Sequence, residues 1–201
     1  MSPDIIFTVI VFIFSVIIHE VSHGYVAYLQ GDNTAKFAGR LTLNPIPHID
    51  LFGSIILPGL LILSGSTMVV GWAKPVPFNP YNLKDQKWGE AKVAIAGPLS
   101  NIILAVFFGI LVRLGLFPSL TEPFVYIVLI NLLLATFNLV PIPPLDGSKI
   151  LFSIFPNSLS EAREFLERNG LFVLVFFIFF LWRFVYPIIL LEFRLLTGLT
   201  L

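Results

Sequence analysis

The sequence predicts an all-α polytopic membrane protein: about four to five transmembrane helices plus a re-entrant or partially crossing segment at Leu51–Gly71. Three observations carry this. Hydrophobic residues make up 57% of the 201 positions. Only 12% are charged, about half the share of an ordinary soluble domain, too few to build a water-facing surface. The apolar residues fall into runs of membrane-spanning length.

Four runs are full spans, at roughly Ile5–Leu29, Ala91–Gly115, Phe124–Val140 and Leu171–Leu196. The first could pass for a secretory signal, but it lacks a basic leader and a small-residue cleavage site, so it reads as a retained helix. Leu51–Gly71 is about long enough to cross, but Gly53, Pro58, Gly59, Gly65 and Gly71 weaken a continuous helix there. Polar, proline-rich connections join the runs at Gly31–Asp50, Trp72–Glu90 and Pro141–Asn169. The last holds the charged stretch Ser160–Arg168, read as a short interfacial helix. The whole chain, 1–201, reads as a single membrane-embedded domain.

Charge and composition exclude other classes. Twelve basic residues balance twelve acidic ones, and no basic stripe offers a nucleic-acid surface. With no cysteine, disulfides and thiolate metal sites are impossible, so a metal must be held by His, Asp or Glu.

The first span breaks the rule that spanning helices avoid charge. It carries His19-Glu20-Val21-Ser22-His23, at a depth where an ionisable group costs about 2.5–3.5 kcal/mol on insertion scales. Histidines at i and i+4 share one helix face, so both can reach one metal ion, with Glu20 close to its water. About one shuffle in a thousand of this composition would contain H-E-x-x-H. The bland alternative is a set of polar residues facing partner helices or a water-filled cavity.

Two histidines leave a catalytic zinc one protein ligand short. Asp146 is the leading candidate. It follows the third full span in Phe137–Gly147, where Pro141, Pro143 and Pro144 break the helix, and broken backbone at membrane depth is tolerated where it lines a cavity. Asp146 could also cap a helix at Gly147–Phe155. His48, in the polar turn Asn44–Asp50, is the rival ligand, with a loop-fixing role as its alternative. Asn101 and Asn138 are polar residues in apolar surroundings that can hydrogen-bond between helices, and Asn138 lies near enough to the break to orient substrate or stabilise an oxyanion.

His19-Glu20-Val21-Ser22-His23, together with Asn138-Leu139-Val140-Pro141-Ile142-Pro143-Pro144-Leu145-Asp146-Gly147, resembles the site-2 proteases, a family of intramembrane zinc metalloproteases. Gly39-Arg40-Leu41-Thr42-Leu43-Asn44-Pro45, Gly71-Trp72-Ala73-Lys74-Pro75-Val76-Pro77 and Ala96-Gly97-Pro98-Leu99-Ser100-Asn101 resemble its short prokaryotic branch, without PDZ or CBS domains. The resemblance implies His19, His23 and Asp146 as ligands of one Zn2+ per chain, Glu20 as general base and Asn138 as a polar residue beside the metal. It implies a membrane-protein substrate cleaved in or near a transmembrane helix. The rival reading is a non-catalytic membrane protein that binds or carries a divalent metal.

The ligands also constrain topology. His23 and Asp146 lie near the exit ends of their spans and can share one ion only if both exits are on one side. Of the three apolar segments between them, one cannot cross, and Leu51–Gly71 is the one its glycines and proline single out. Nine basic residues then fall on the ligand side (Lys36, Arg40, Lys74, Lys84, Lys87, Lys92, Lys149, Arg163 and Arg168), against Arg113 and Arg194 on the other. By the positive-inside rule the metal lies nearer the cytoplasmic face of a prokaryotic cell membrane.

Overall fold

The computed structural model describes residues 3–64, 71–155 and 160–200. Among these the chain is helical, with no strand. Helix α1 spans Pro3–Leu29, and a four-residue α2 follows at Thr34–Phe37. A π-helical stretch, Leu51–Ile56, runs into α3 at Leu57–Leu63. Then come α4 (Gly89–Arg113), α5 (Thr121–Asn138), α6 (Asp146–Ile154), α7 (Ser160–Phe176) and α8 (Trp182–Thr197). Four helical stretches are long and apolar enough to cross a membrane: Ile6–Leu29, Gly89–Arg113, Pro118–Asn138 and Glu161–Thr197.

Helix α4 is the hub, packing against α1, α5, α6 and α8. Its sequence explains why. Gly97, Asn101, Ala105 and Gly109 recur every four residues on one buried stripe. Lipid tails are as apolar as leucine, so membrane helices associate by close van der Waals approach and polar contacts rather than by hydrophobic burial. Small residues permit that approach. A Cβ on Gly109 would meet the Leu196 Cβ at 2.9 Å. Ala105 packs with Val128, Leu132, Ile189 and Phe193, joining α4, α5 and α8.

Leu51–Leu63 is about 20 Å of helix at 1.5 Å per residue, too short for a hydrocarbon core of about 30 Å. Its return is visible. The Trp72 amide donates to the Gly53 carbonyl (3.1 Å), and the Ser54 hydroxyl donates to the Trp72 carbonyl (2.8 Å). The Trp72 ring lies where a Gly53 side chain would be, a Cβ there meeting ring atoms at 2.3 Å. The two ends of the segment therefore meet, Gly53 and Ser54 against Trp72. Its positions 65–70 lie outside the described residues, as do 156–159 of the Pro141–Asn169 connection.

The charged stretch Ser160–Arg168 is not a separate interfacial helix. It forms the first turns of α7, which continues through a π-helical turn at Phe177–Leu181 into α8. Asn169 and Gly170 do not end the helix. Asn169 donates from its side chain to the Phe165 carbonyl (2.9 Å). Gly170 gives α7 room to pass the Pro143 carbonyl, which a Cβ would meet at 2.6 Å.

Candidate metal centre

Three side chains from two distant parts of the chain converge beneath α4. His19 and His23 come from one face of α1, their rings edge to face with centroids 4.7 Å apart. Asp146 is the first residue of α6. Its Oδ2 lies 3.1 Å from Nε2 of both histidines. One ligand atom from each residue falls within 4.8 Å of the others, and all three residues are buried. Asp146 turns its carboxylate to the histidines and does not cap its helix, where Leu145 holds the cap position.

Two glycines make the convergence possible. A Cβ on Gly97 would meet His23 Nε2 at 2.4 Å and His19 Nε2 at 2.5 Å, so α4 supplies the floor of the site by having no side chain there. A Cβ on Gly147 would meet the Leu139 carbonyl oxygen at 2.2 Å. That glycine lets the start of α6 tuck beneath the end of α5 and bring Asp146 under α4.

The hydrogen bonds fix which imidazole nitrogens face the centre. His23 Nδ1 lies 2.7 Å from the Val93 carbonyl, which can only accept, so the proton sits on Nδ1. His19 Nδ1 lies 2.6 Å from Asn101 Oδ1, again an acceptor. Both Nε2 atoms therefore point lone pairs at Asp146 Oδ2. Two lone pairs facing one carboxylate oxygen repel it, and a shared cation, a proton on an imidazole or a metal ion, relieves that repulsion. Bonds of 2.0–2.1 Å around a tetrahedral zinc place neighbouring ligand atoms about 3.3 Å apart, close to the 3.1 Å found here. The donor set, two neutral imidazoles and a carboxylate, with both outward nitrogens held by oxygen acceptors, fits the Zn2+ that the resemblance implies.

Asp146 is oriented from its other side. Lys149 Nζ lies 3.5 Å from Oδ1, leaving Oδ2 for the histidines. Burial alone would push the Asp146 carboxyl up. The Lys149 ammonium beside Oδ1 opposes that and favours the charged carboxylate.

Glu20 points to a different neighbour. Its Oε2 accepts from the Val76 amide at 2.8 Å. Val76 belongs to a strap without regular secondary structure, residues 71–79, tied to the protein by its amides. Lys74 donates to the His48 carbonyl (2.9 Å), and Asn79 donates to Asp32 Oδ2 (2.7 Å). The strap runs beside the HExxH turn of α1, with Val76 against Gly24. Asp32 anchors it, fully buried and also accepting from Thr34 Oγ1 (2.6 Å) and Asn82 Nδ2 (2.9 Å).

The other sequence candidates fall elsewhere. His48 is buried outside the cluster, donating from Nε2 to the Thr42 carbonyl (2.9 Å), and fixes the 42–48 loop that Arg40 also holds through the Pro47 carbonyl. Asn138 donates to the Leu134 carbonyl of its own helix (2.9 Å). Sequence reasoning missed Gly97, Lys149 and Asn131. Asn131 had a visible sign, an amide within the Phe124–Val140 run.

The profile of peptidase family M50 matches residues 7–117 and 115–181. Several curated relatives are named "Putative zinc metalloprotease". YwhC of Bacillus subtilis is 41% identical over 198 residues, 94% of this chain and 83% of its own length. Rip2 of Mycolicibacterium smegmatis is 30% identical over 141 residues, covering 66% of this chain and 51% of its own. MJ0611 of Methanocaldococcus jannaschii is 40% identical over 96 residues, 46% of this chain and 50% of its own. No solved structure gives a significant match. The HExxH helix, the buried carboxylate that meets it and a profile spanning most of the sequence agree: the chain belongs to peptidase family M50, the site-2 proteases.

Proposed function

We propose that this chain is an intramembrane zinc endopeptidase that hydrolyses peptide bonds in or near transmembrane helices of other membrane proteins. The observation that carries this is the convergence of His19 Nε2, His23 Nε2 and Asp146 Oδ2 inside a helical membrane bundle. These three residues would hold one Zn2+. When bound, zinc supplies a Lewis acid that polarises a carbonyl and acidifies water.

The remaining chemistry belongs to the chain. Glu20 is anchored through Oε2 on the Val76 amide. Its other oxygen is left to take the proton of the attacking water and hand it to the leaving amine. Asn138 is assigned the polar contact to the substrate on its position at the end of α5, ahead of the break that carries Asp146. A helical substrate hides its scissile bond in its own hydrogen bonds and must unwind locally. The segments at Gly39–Asn44 or Gly71–Phe78 would give the unwound stretch an edge to lie along. The residue charges favour a cell-membrane protein whose site opens toward the cytoplasm, with the whole chain acting as one domain.

The test is a pair of variants of the purified chain in detergent. Asp146→Ala loses most of the one zinc per chain that the wild type holds. Glu20→Gln keeps its zinc and loses cleavage of a single-span test substrate by about 100-fold or more. A Glu20→Gln protein that still cleaves overturns the mechanism. A well-folded wild type without zinc overturns the function.

A further inference from the structure

We propose that Asn131, Asn101 and Ser15 form a positioning network that keeps the His19 proton on Nδ1, so that the Nε2 lone pair always faces the metal position. The proposal rests on the reading of His19 as a ligand.

The network joins three helices. Ser15 and His19 lie one turn apart on α1, Asn101 on α4 and Asn131 on α5. Ser15, Asn101 and Asn131 are all buried, the two asparagines completely. Asn131 Nδ2 lies 2.9 Å from the Ile127 carbonyl and 3.0 Å from Ser15 Oγ. A main-chain carbonyl cannot donate, so the Asn131 nitrogen must face Ile127 and its oxygen must face Asn101. Asn101 Nδ2 sits 2.8 Å from that oxygen and 3.3 Å from the Ser15 carbonyl. Both accept, so Asn101 in turn presents its oxygen to His19 Nδ1, at 2.6 Å. Each bond direction follows from the one before, and the series starts and is checked at main-chain carbonyls that cannot be reversed.

A pair of asparagines that only glued helices together would need no such direction. Here the direction ends on a ring whose two neutral tautomers differ in one respect that matters: with the proton on Nε2, His19 has no lone pair for the metal. The two histidines are treated differently. His23 takes its orientation from a main-chain carbonyl, which no side-chain substitution removes. His19 depends on two side-chain amides, and turning Asn101 over would reverse its tautomer. Partners that orient a metal-binding histidine are typically worth about 10- to 100-fold in metal affinity.

The test uses the full chain in detergent, with histidine labelled with 15N in the ring. Only three imidazoles are present, and His48→Gln and His23→Gln assign them. In metal-free protein, at a pH where the rings are neutral, wild-type His19 is expected as the Nδ1–H tautomer. Asn131→Leu is expected to mix the tautomers and weaken zinc about tenfold or more in chelator competition. Asn131→Asp, which still offers Asn101 an acceptor, is expected to restore both. A wild-type His19 protonated on Nε2 overturns the proposal without any variant, so a variant that fails to fold does not shield it. So does an Asn131→Leu protein with wild-type tautomer and affinity, or equal zinc loss in the Leu and Asp variants. Failure of the metal reading looks different: no zinc in the wild type, whatever the tautomer.

Discussion

Helix α4 and the long helix formed by α7 and α8 are both apolar enough to span a membrane, yet they are built for opposite surroundings. In the most apolar stretch of α4, 33% of positions are buried inside the protein, against 11% in the long helix. On α4 the inward stripe is glycine, asparagine and alanine. On the long helix the large side chains Leu171, Phe172, Phe179 and Phe184 lie exposed. The difference teaches where information sits in a membrane enzyme. Hydrophobicity says only that a segment belongs in lipid. Small residues in register say which segment the others close upon, and the candidate metal ligands meet against that segment at Gly97.

If that contrast is right, removing nothing and adding one methyl to α4 should be the most damaging change. Gly97→Ala puts a Cβ within 2.6 Å of both imidazoles, and zinc content of the purified variant is expected to fall to background. Gly147→Ala comes next. Its Cβ meets main-chain atoms of Leu139 and Val140 that cannot swing away, so the start of α6 must shift and carry Asp146 with it. Zinc affinity, by chelator competition, is expected to drop about tenfold or more.

Asp32 tests the strap rather than the hub. Burial raises its carboxyl, but the hydrogen bonds from Thr34, Asn82 and Asn79 outweigh burial and leave it below its ordinary value. A carboxylate lowered in the folded state stabilises fully above its unfolded pKa and loses that contribution as pH falls through the folded value. The wild type should therefore hold its melting temperature down to about pH 4 and lose it below. Asp32→Asn is expected to be about 1.5–3 kcal/mol less stable at pH 7, with a flatter acid limb in a thermal melt. The smallest effect belongs to the long helix. Phe179→Ala removes an exposed ring and should change stability by less than about 0.5 kcal/mol, with zinc content untouched. A large zinc loss there would break the contrast.

Much of the centre was legible because its chemistry is out of place. A His-Glu pair inside an apolar span and an aspartate just past three prolines are conspicuous in one dimension. The break in Leu51–Gly71 was legible too, since its glycines and proline interrupt a helix, and its ends meet where Trp72 fills the space beside Gly53. Gly97 was not, because its contribution is an empty volume that only a neighbouring helix defines. Asn131 was visible as an amide in lipid, but the groups it aligns, Asn101 and through it His19, lie on two other helices. The continuity of the charged stretch Ser160–Arg168 with the last span was hidden because Asn169 and Gly170 separate the two in the sequence, and only the approach of Pro143 shows why the glycine is there.

The strap at 71–79 has one more property. Its amides at Trp72, Lys74 and Val76 are all spent on the protein, and Pro75 and Pro77, on either side of Val76, have no N–H to give. Its free rim therefore offers carbonyls and almost no donors. An ordinary open strand invites any other open strand, its own twin included, and this is how sheets grow into aggregates. Two such straps brought together would meet carbonyl to carbonyl and repel. A second copy of the strap would thus find little to bond to there, whereas a chain that brought unpaired amides would find acceptors.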